Sequence, residues 1–485
     1  MFLSFTRHFP SSLWKSVALY AAVLMSYSTA KHLLFQSTAF DLGYFDQATY
    51  LVSQGEIPVV SFWGYHFMGG HADWIVYALA GLYRLHPTVY WLLGAQAMAL
   101  ASGGLVTWKL ARQADLNEQW ANTLTTVYLL QPLIFNINLF DFHAEVIAVP
   151  CILTAVWAAR SGYLGWFTFV TIIALGCRDS LSLNIAVMGI WLMIFEHRRR
   201  AGAIALTLGL LWFYLATQWV IPHFRPGGLE AVGRYAEFGD SIPAILASLI
   251  QRPQVWILHI LTLPNLGYGA LLFGPWIWGL KWGRSLLPLL PVLPTIATNL
   301  LTTYSAQKDI IHQYSLPIIP FLWLTALAAI SQNLSHDGKQ SKFSWLQLRQ
   351  TILIWSILGF LCLSKFHYMG WRYLEHLDTW QASTAAIAQI PPKYSVLTTA
   401  KLAPHLTHRK TLKTTDPQQN IIQQMENSEY ILLDRRHGDS DLTANTPEMK
   451  LKNLDLIIQA AKTDPKRQLI SQQDDIYLFG PKEKK

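Results

Sequence analysis

The chain has 485 residues, of which 52% are hydrophobic and only 14% charged, and Phe, Trp and Tyr together supply 13%. Soluble domains carry about 25% charged residues, so this composition excludes an ordinary soluble globule and points to a polytopic membrane protein. The formal net charge of +8 does not indicate a nucleic-acid partner, because the basic residues lie in short clusters between apolar runs, as the positive-inside rule expects.

Residues 1–15 form a short basic lead with Arg7 and Lys15, followed by an apolar run over 16–30. The run reads as a retained first span with its N-terminus in the cytoplasm, although Ser28-Thr29-Ala30 also has the small-residue character of a signal cleavage site. Residues 31–73 then form an external loop. It opens with F-D-L-G-Y-F-D-Q at 40–47, two carboxylates just past the hydrophobic segment. An Asp at mid-bilayer costs roughly 2.5–3.5 kcal/mol, so Asp41 and Asp46 belong outside the hydrocarbon. They fit a catalytic pair, while Asp41 also fits a cap on a short helix over 42–55. His66, His71 and Asp73 are further polar residues of this loop. The apolar stretch 74–85 is too short to span and suits a re-entrant or interfacial helix.

Ten further spans are predicted at 87–110, 120–135, 142–159, 163–176, 181–195, 201–220, 256–280, 286–301, 316–330 and 352–365, eleven in all with the first. Cys151, Cys177 and Cys362 lie in or beside these runs with neither disulfide nor zinc spacing and read as small buried hydrophobes. Lys and Arg favour one set of connections, including Lys109, Arg112, Arg160, Arg198, Arg199, Arg200, Lys339 and Lys342. Their bias orients the chain N-in and C-out in a bacterial-type plasma membrane.

That orientation collects the ionisable clusters on the outer face: D-F-H-A-E at 141–145, Arg178-Asp179, the loop 222–254 with Arg234, and 304–314 with Lys308 and His312. If a helix starts at Asp141, then Asp141 and Glu145 share a face, which suits a base with a supporting carboxylate or, with His143, metal binding; a capped helix is the plainer reading. Arg178 can clamp a phosphate bidentately or pair with Asp179. Lys308 and His312, a helical turn apart, can meet a phosphate or snorkel to the interface. Asp41, Asp46, His143 and Glu145 offer oxygen and imidazole ligands that suit Mg, Mn or Zn. His259, inside an apolar run, reads as a core histidine.

Beyond the last span, residues 370–485 are polar and predict a small α/β domain on the outer side. Helices are expected at 371–390, 417–427 and 447–462, and strands at 394–399, 430–433 and 476–479. No Gly-rich phosphate loop, Ser elbow or metal-ligand spacing is visible there. This leaves acceptor recognition or partner binding as its role.

The motifs at 40–43, 45–47, Gly70-His71, 141–145 and 177–179, with P-H-L-T-H-R at 404–409 and Y-I-L-L-D at 430–434, resemble those of an uncharacterised bacterial and archaeal membrane family grouped with the GT-C glycosyltransferases. The resemblance covers nearly the whole chain, and departs from the family pattern at Ala144, where Pro is usual, and at Asp179-Ser180, where Glu-Asp follows the Arg. It implies a transferase that takes a sugar from a polyprenyl-phosphate carrier and passes it to a hydroxyl of a glycan, lipid or protein. It further implies a catalytic carboxylate in the first external loop, at Asp41, with Asp46 supporting. Asp141, His143, Glu145 and Asp179 are then second-carboxylate or supporting candidates, and Arg178, Lys308 and His312 phosphate candidates. Two rivals are a lipid or glycan transporter, which calls for paired repeats and mid-membrane charges, and a non-enzymatic envelope assembly protein resting on the C-terminal domain.

Overall fold

Each of the eleven apolar segments falls on a helical stretch in the computed structural model, which describes residues 9–281, 283–336, 342–437 and 446–482. Arg7 and Lys339, used above for orientation, lie outside the described residues. Among the described residues five helices are long and apolar enough to cross a membrane: Glu118–Phe140, Arg199–Phe224, Arg284–Leu301, Gln313–Asn333 and Leu346–Leu363. A sixth is the pair Pro253–Ile260 and Leu263–Gly279, bent by 60°. Leu164–Leu175 and Leu181–Ile194 have 12 and 14 residues. At 1.5 Å per residue they reach only about 18 and 21 Å of a hydrocarbon core about 30 Å thick. Among the described residues length and composition thus assign five or six spans, where the sequence predicted eleven.

Close helix contact is set by small residues. Leu181–Ile194 and Arg199–Leu215 pack backbone to backbone through Gly189, Gly202 and Gly209; a Cβ on Gly202 would stand 2.5 Å from the Gly189 carbonyl oxygen. Ile75–Tyr83 is the short helix expected after the first loop, with Val76, Ala80 and Tyr83 buried.

The loop itself carries a two-residue hairpin, β1 Val59–Val60 and β2 Tyr65–His66. The C-terminal region builds a second sheet from β3 Val396–Thr398, β4 Leu412–Thr414, β5 Tyr430–Asp434, β6 Arg467–Gln473 and β7 Ile476–Pro481, in the order β4-β3-β5-β7-β6. β4, β3 and β5 run parallel; β7 is antiparallel to both β5 and β6. Successive side chains alternate between faces. Val396, Leu412 and Leu432 pack on Ala382 and Ala386 of the helix Trp380–Ala388 and on Phe35 and Ala39 of the first loop. Leu397, Ile431 and Leu433 pack on Leu454, Ile457 and Ala461 of the helix Pro447–Thr463.

Three local expectations change. The helix expected over 371–390 starts only at Trp380, after short turns. Within 417–427 only Ile421–Met425 is helical, because Asp416 accepts from the Gln418 amide and folds the preceding residues into a turn. The edge strands β4 and β6 were not expected: one has three residues and the other, R-Q-L-I-S-Q-Q, is largely polar and exposed.

Candidate functional site

The first helix, Ser11–Leu33, ends near Lys31, which is buried. Its Nζ lies 2.6 Å from Asp141 Oδ1 and donates to the Phe140 carbonyl at 3.1 Å. Asp141 Oδ2 accepts from the Thr38 amide at 3.0 Å, so one carboxylate fixes both the end of the first helix and the start of the loop. Asp141 does so from a backbone of φ 130° and ψ −179° at the end of Pro132–Phe140, a region that non-glycine residues rarely occupy. Asp41 follows in the single wide, π-helical turn Ala39–Gly43. Its Oδ1 is 3.2 Å from His143 Nε2, and its Oδ2 accepts from Thr38 Oγ1 at 3.2 Å. The His143 ring stacks on Phe140, and its amide donates to Gln96. Burial pushes the Asp41 carboxyl up, but the hydrogen bond and charge of His143, with Lys31 and Thr38, outweigh it and hold the group below its ordinary range. Asp41 is therefore an ionised carboxylate that keeps some exposure, 17% of its side chain.

A second network adjoins it. Arg178 pairs with Glu145 through Nη1, and its Nη2 lies 2.8 Å from His71 Nε2. A guanidinium only donates, so His71 accepts at Nε2 and carries its proton on Nδ1, 3.3 Å from Asp179 Oδ1. Burial and the Arg178 charge depress the His71 pKa, consistent with this neutral tautomer. Trp74 lies against Gly176, where there is no room for a Cβ, and the Ile75 amide donates to the Gly176 carbonyl; together they hold the two loops in register. Asp73 sits behind them, 2% exposed, with Oδ1 lacking a hydrogen-bond partner. Burial, then the charges of Glu145 and Asp179, push its carboxyl well above the ordinary range despite Arg178.

Glu145, Arg178, Asp179 and His71 form one end of a cavity of about 380 Å³. Arg234, Gln307 and Tyr314 complete that end, while Leu183, Phe213, Ile245, Leu246 and Leu249 form apolar walls. Arg234 lies over Tyr304 and Tyr314, at 4.6 and 5.4 Å, and Arg178 over Tyr314 at 5.6 Å. Asp41 does not line this cavity; it joins the basic end through His143, two residues before Glu145.

The structure thus brings Asp41, Asp141 and His143 together, and beside them Glu145, Arg178, Asp179, His71 and Asp73. It does not bring in Asp46. That carboxylate is 1% exposed and bound by Tyr83 Oη at 2.5 Å, Thr407 Oγ1, and His408 Nε2 at 3.3 Å, with no partner in common with Asp41. The expected helix from Asp141 to Glu145 does not form either. Helix Glu145–Ser161 starts at Glu145, and the two carboxylates serve different cations. Asp41 makes no capping hydrogen bond. The four residues expected to hold a divalent cation are therefore not assembled: Asp46 is in another network and Glu145 is committed to Arg178. Lys308 and His312 do not line the cavity. Asp309 breaks their helix and binds His312 Nδ1 at 2.6 Å, and His312 packs on Phe140. His66 stacks on Phe224, away from the cavity. His259 pairs with Glu237 rather than standing alone. Lys31, Thr38, Tyr304 and Tyr314 were not singled out from sequence. Only their spacing in three dimensions marks them, since each is an ordinary interface residue by type.

The structure is similar to that of ArnT from Cupriavidus metallidurans bound to undecaprenyl phosphate, with a TM-score of 0.52, 11% identity, and 97% of this chain and 98% of that one covered. Its apo state gives a TM-score of 0.54 at 10% identity over the same shares. The archaeal oligosaccharyltransferase AglB from Archaeoglobus fulgidus, in complex with an inhibitory peptide and a dolichol-phosphate, gives 0.46 at 10% identity, over 87% of this chain and 70% of that one. At such identities the likeness speaks for the fold alone. No curated protein matches the chain. The model of one family matches residues 31–465, nearly the whole length. Similar in fold to ArnT, the chain belongs to the family described as predicted membrane protein (DUF2079).

Proposed function

We propose that the protein is a membrane glycosyltransferase that takes a sugar from a polyprenyl-phosphate carrier and transfers it to an acceptor hydroxyl at the extracytoplasmic face. The observation that carries this reading is the cavity: apolar walls with Arg178 and Arg234 at one end, and Asp41 joined to that end through His143, two residues before the Glu145 that pairs with Arg178. A phosphate bearing a long apolar tail is the ligand class whose two halves match those two surfaces.

In the proposed reaction Asp41 accepts the proton of the acceptor hydroxyl as its oxygen bonds to the anomeric carbon. The bond from that carbon to the carrier phosphate breaks, and the phosphate leaves with the electron pair toward Arg178 and Arg234. His143 and Thr38 hold Asp41 in place and ionised. Glu145 and His71 orient the Arg178 guanidinium, and Asp73 behind them stays neutral. No step is drawn through a metal, since the expected ligand set is not assembled. The long apolar helices cross the membrane with the N-terminus inside. The α/β unit of residues 370–485 stands outside, where it meets the acceptor.

The experiment is native mass spectrometry of the full-length protein released gently from its own membrane. A bound sugar-charged polyprenyl phosphate, retained by Asp41→Asn but no longer turned over, supports the reading. Ordinary phospholipid alone, in repeated preparations supplemented with carrier lipids, sinks it.

A further inference from the structure

His376 lies far in sequence from Asp434 and His437, and the three come together in space. Each offers one ligand atom, and the three atoms lie within 4.8 Å of one another. His376 comes from the turns that follow the last apolar helix, Asp434 ends β5, and His437 follows in the next turn. Two of their polar atoms are buried and without a hydrogen bond: His376 Nδ1, on a residue 6% exposed, and Asp434 Oδ2, on a residue 1% exposed. Buried polar atoms left without a partner are destabilising, so the pocket as built calls for a ligand.

We propose that these three residues form a divalent transition-metal site, zinc by ligand type, that fastens the segment leaving the membrane helices to the C-terminal sheet. Two imidazoles and a carboxylate are a nitrogen and oxygen set suited to Zn²⁺, with a fourth position left for water. The surrounding contacts fit this use. Asp434 Oδ1 accepts from the His437 amide at 3.0 Å, which leaves Oδ2 for the metal. His437 Nε2 is 2.8 Å from Asp378 Oδ1, which leaves Nδ1, and a carboxylate behind a ligating histidine is the usual supporting arrangement. The His376 and His437 rings stack with centroids 4.0 Å apart, a distance at which two imidazolium charges repel, so at least one ring is neutral as ligation requires. Burial, then the charges of His437 and Lys401, depress His376 to about 3. Burial pushes the Asp434 carboxyl up, a penalty that a bound cation removes. Around tetrahedral zinc the ligand atoms stand about 3.3 Å apart, so side-chain rotation draws them together on binding. Lys401, the opposing charge near His376, is directed to the Gln36 carbonyl at 3.2 Å.

The test uses the full-length protein in detergent, stripped with chelator and titrated with Co²⁺ and then Zn²⁺. One equivalent of Co²⁺ should bind with a visible ligand-field band, Zn²⁺ should displace it, and Zn²⁺ should raise the melting temperature. His376→Gln and His437→Gln should abolish the band. Asp378→Asn should weaken binding roughly tenfold to a hundredfold, and Asp41→Asn should leave it unchanged. A wild-type chain with neither the band nor stabilisation by Zn²⁺ overturns the site without recourse to any variant. So does uptake that survives His437→Gln, or uptake lost in Asp41→Asn.

Discussion

Thr407 donates a hydrogen bond to the carboxylate of Asp46, which lies 361 positions earlier in the chain. With Tyr83 and His408 on the same carboxylate, this ties the first external loop, the short helix after it and the sheet region into one buried junction. Asp46→Ala removes the shared acceptor and strands three donors, at a cost of about 3–5 kcal/mol. Limited proteolysis should then release the C-terminal region, while a carrier lipid still binds. Intact, protease-resistant Asp46→Ala protein would remove Asp46 from this role.

The same junction should weaken with rising pH. Burial opposes charge on His408, but the charge and hydrogen bond of Asp46 outweigh it and hold the imidazole above its ordinary value. A raised folded-state value gives stability that is complete below the unfolded value of about 6.5 and fades as pH climbs through the folded one. Melting curves should show that decline on the alkaline side of about 6.5 and lose it in His408→Gln.

Asp41→Asn should lower turnover by about 10²- to 10⁴-fold, the usual worth of a general base, with the carrier still retained. The depressed Asp41 value also means that activity should persist through mildly acidic pH without titration of the base. An acidic limb of the rate profile centred above pH 5 in the wild type, unchanged in His143→Gln, would contradict this assignment.

Asp73 has the opposite signature. Its folded carboxyl keeps a proton that the unfolded chain surrenders near about 3.9, so stability is fullest at low pH and falls as pH rises through the raised folded value. Asp73→Asn, which resembles the protonated acid, should remove that slope and stabilise the protein increasingly toward alkaline pH. Parallel melting curves for mutant and wild type across the range would show that Asp73 is not held protonated.

Arg178→Ala should cost about 3–5 kcal/mol, because Glu145 is left buried without its cation. The double variant Arg178→Ala with Glu145→Ala should recover part of that loss, whereas lipid retention should fail in both. Additive losses in the cycle would mean that the pair is not coupled.

The helical segments were legible because apolar runs of this length leave few alternatives, and the resemblance carried the fold. The carboxylates were legible as residues but not as groupings. Asp41 and Asp46, five positions apart, enter separate networks, because the π-helical turn Ala39–Gly43 gives way to an α-helix between them and sends the second toward Tyr83. Asp141 and Glu145 separate because the chain does not become helical until Glu145. Lys31 gave no signal beyond a charge after an apolar run, and Arg234 was one of many loop ions until Tyr304 and Tyr314 fixed its place. His376 and His437 escaped notice because their metal-site spacing exists only after β5 forms.

The contacts between the first loop and the sheet also set an order of events during synthesis. The Ala39 amide bonds to the Ala400 carbonyl, Gln47 reaches the Arg409 carbonyl, and Ser61 bridges to Leu412, so a loop made among the first residues waits for partners made near the end. At about 5–20 residues per second, the 361 positions between Asp46 and Thr407 correspond to a delay of roughly 20–70 s. Throughout that interval the acidic loop is without its lasting partners, which are not yet synthesised. Its maturation is therefore a late ring closure rather than a stepwise growth from the N-terminus.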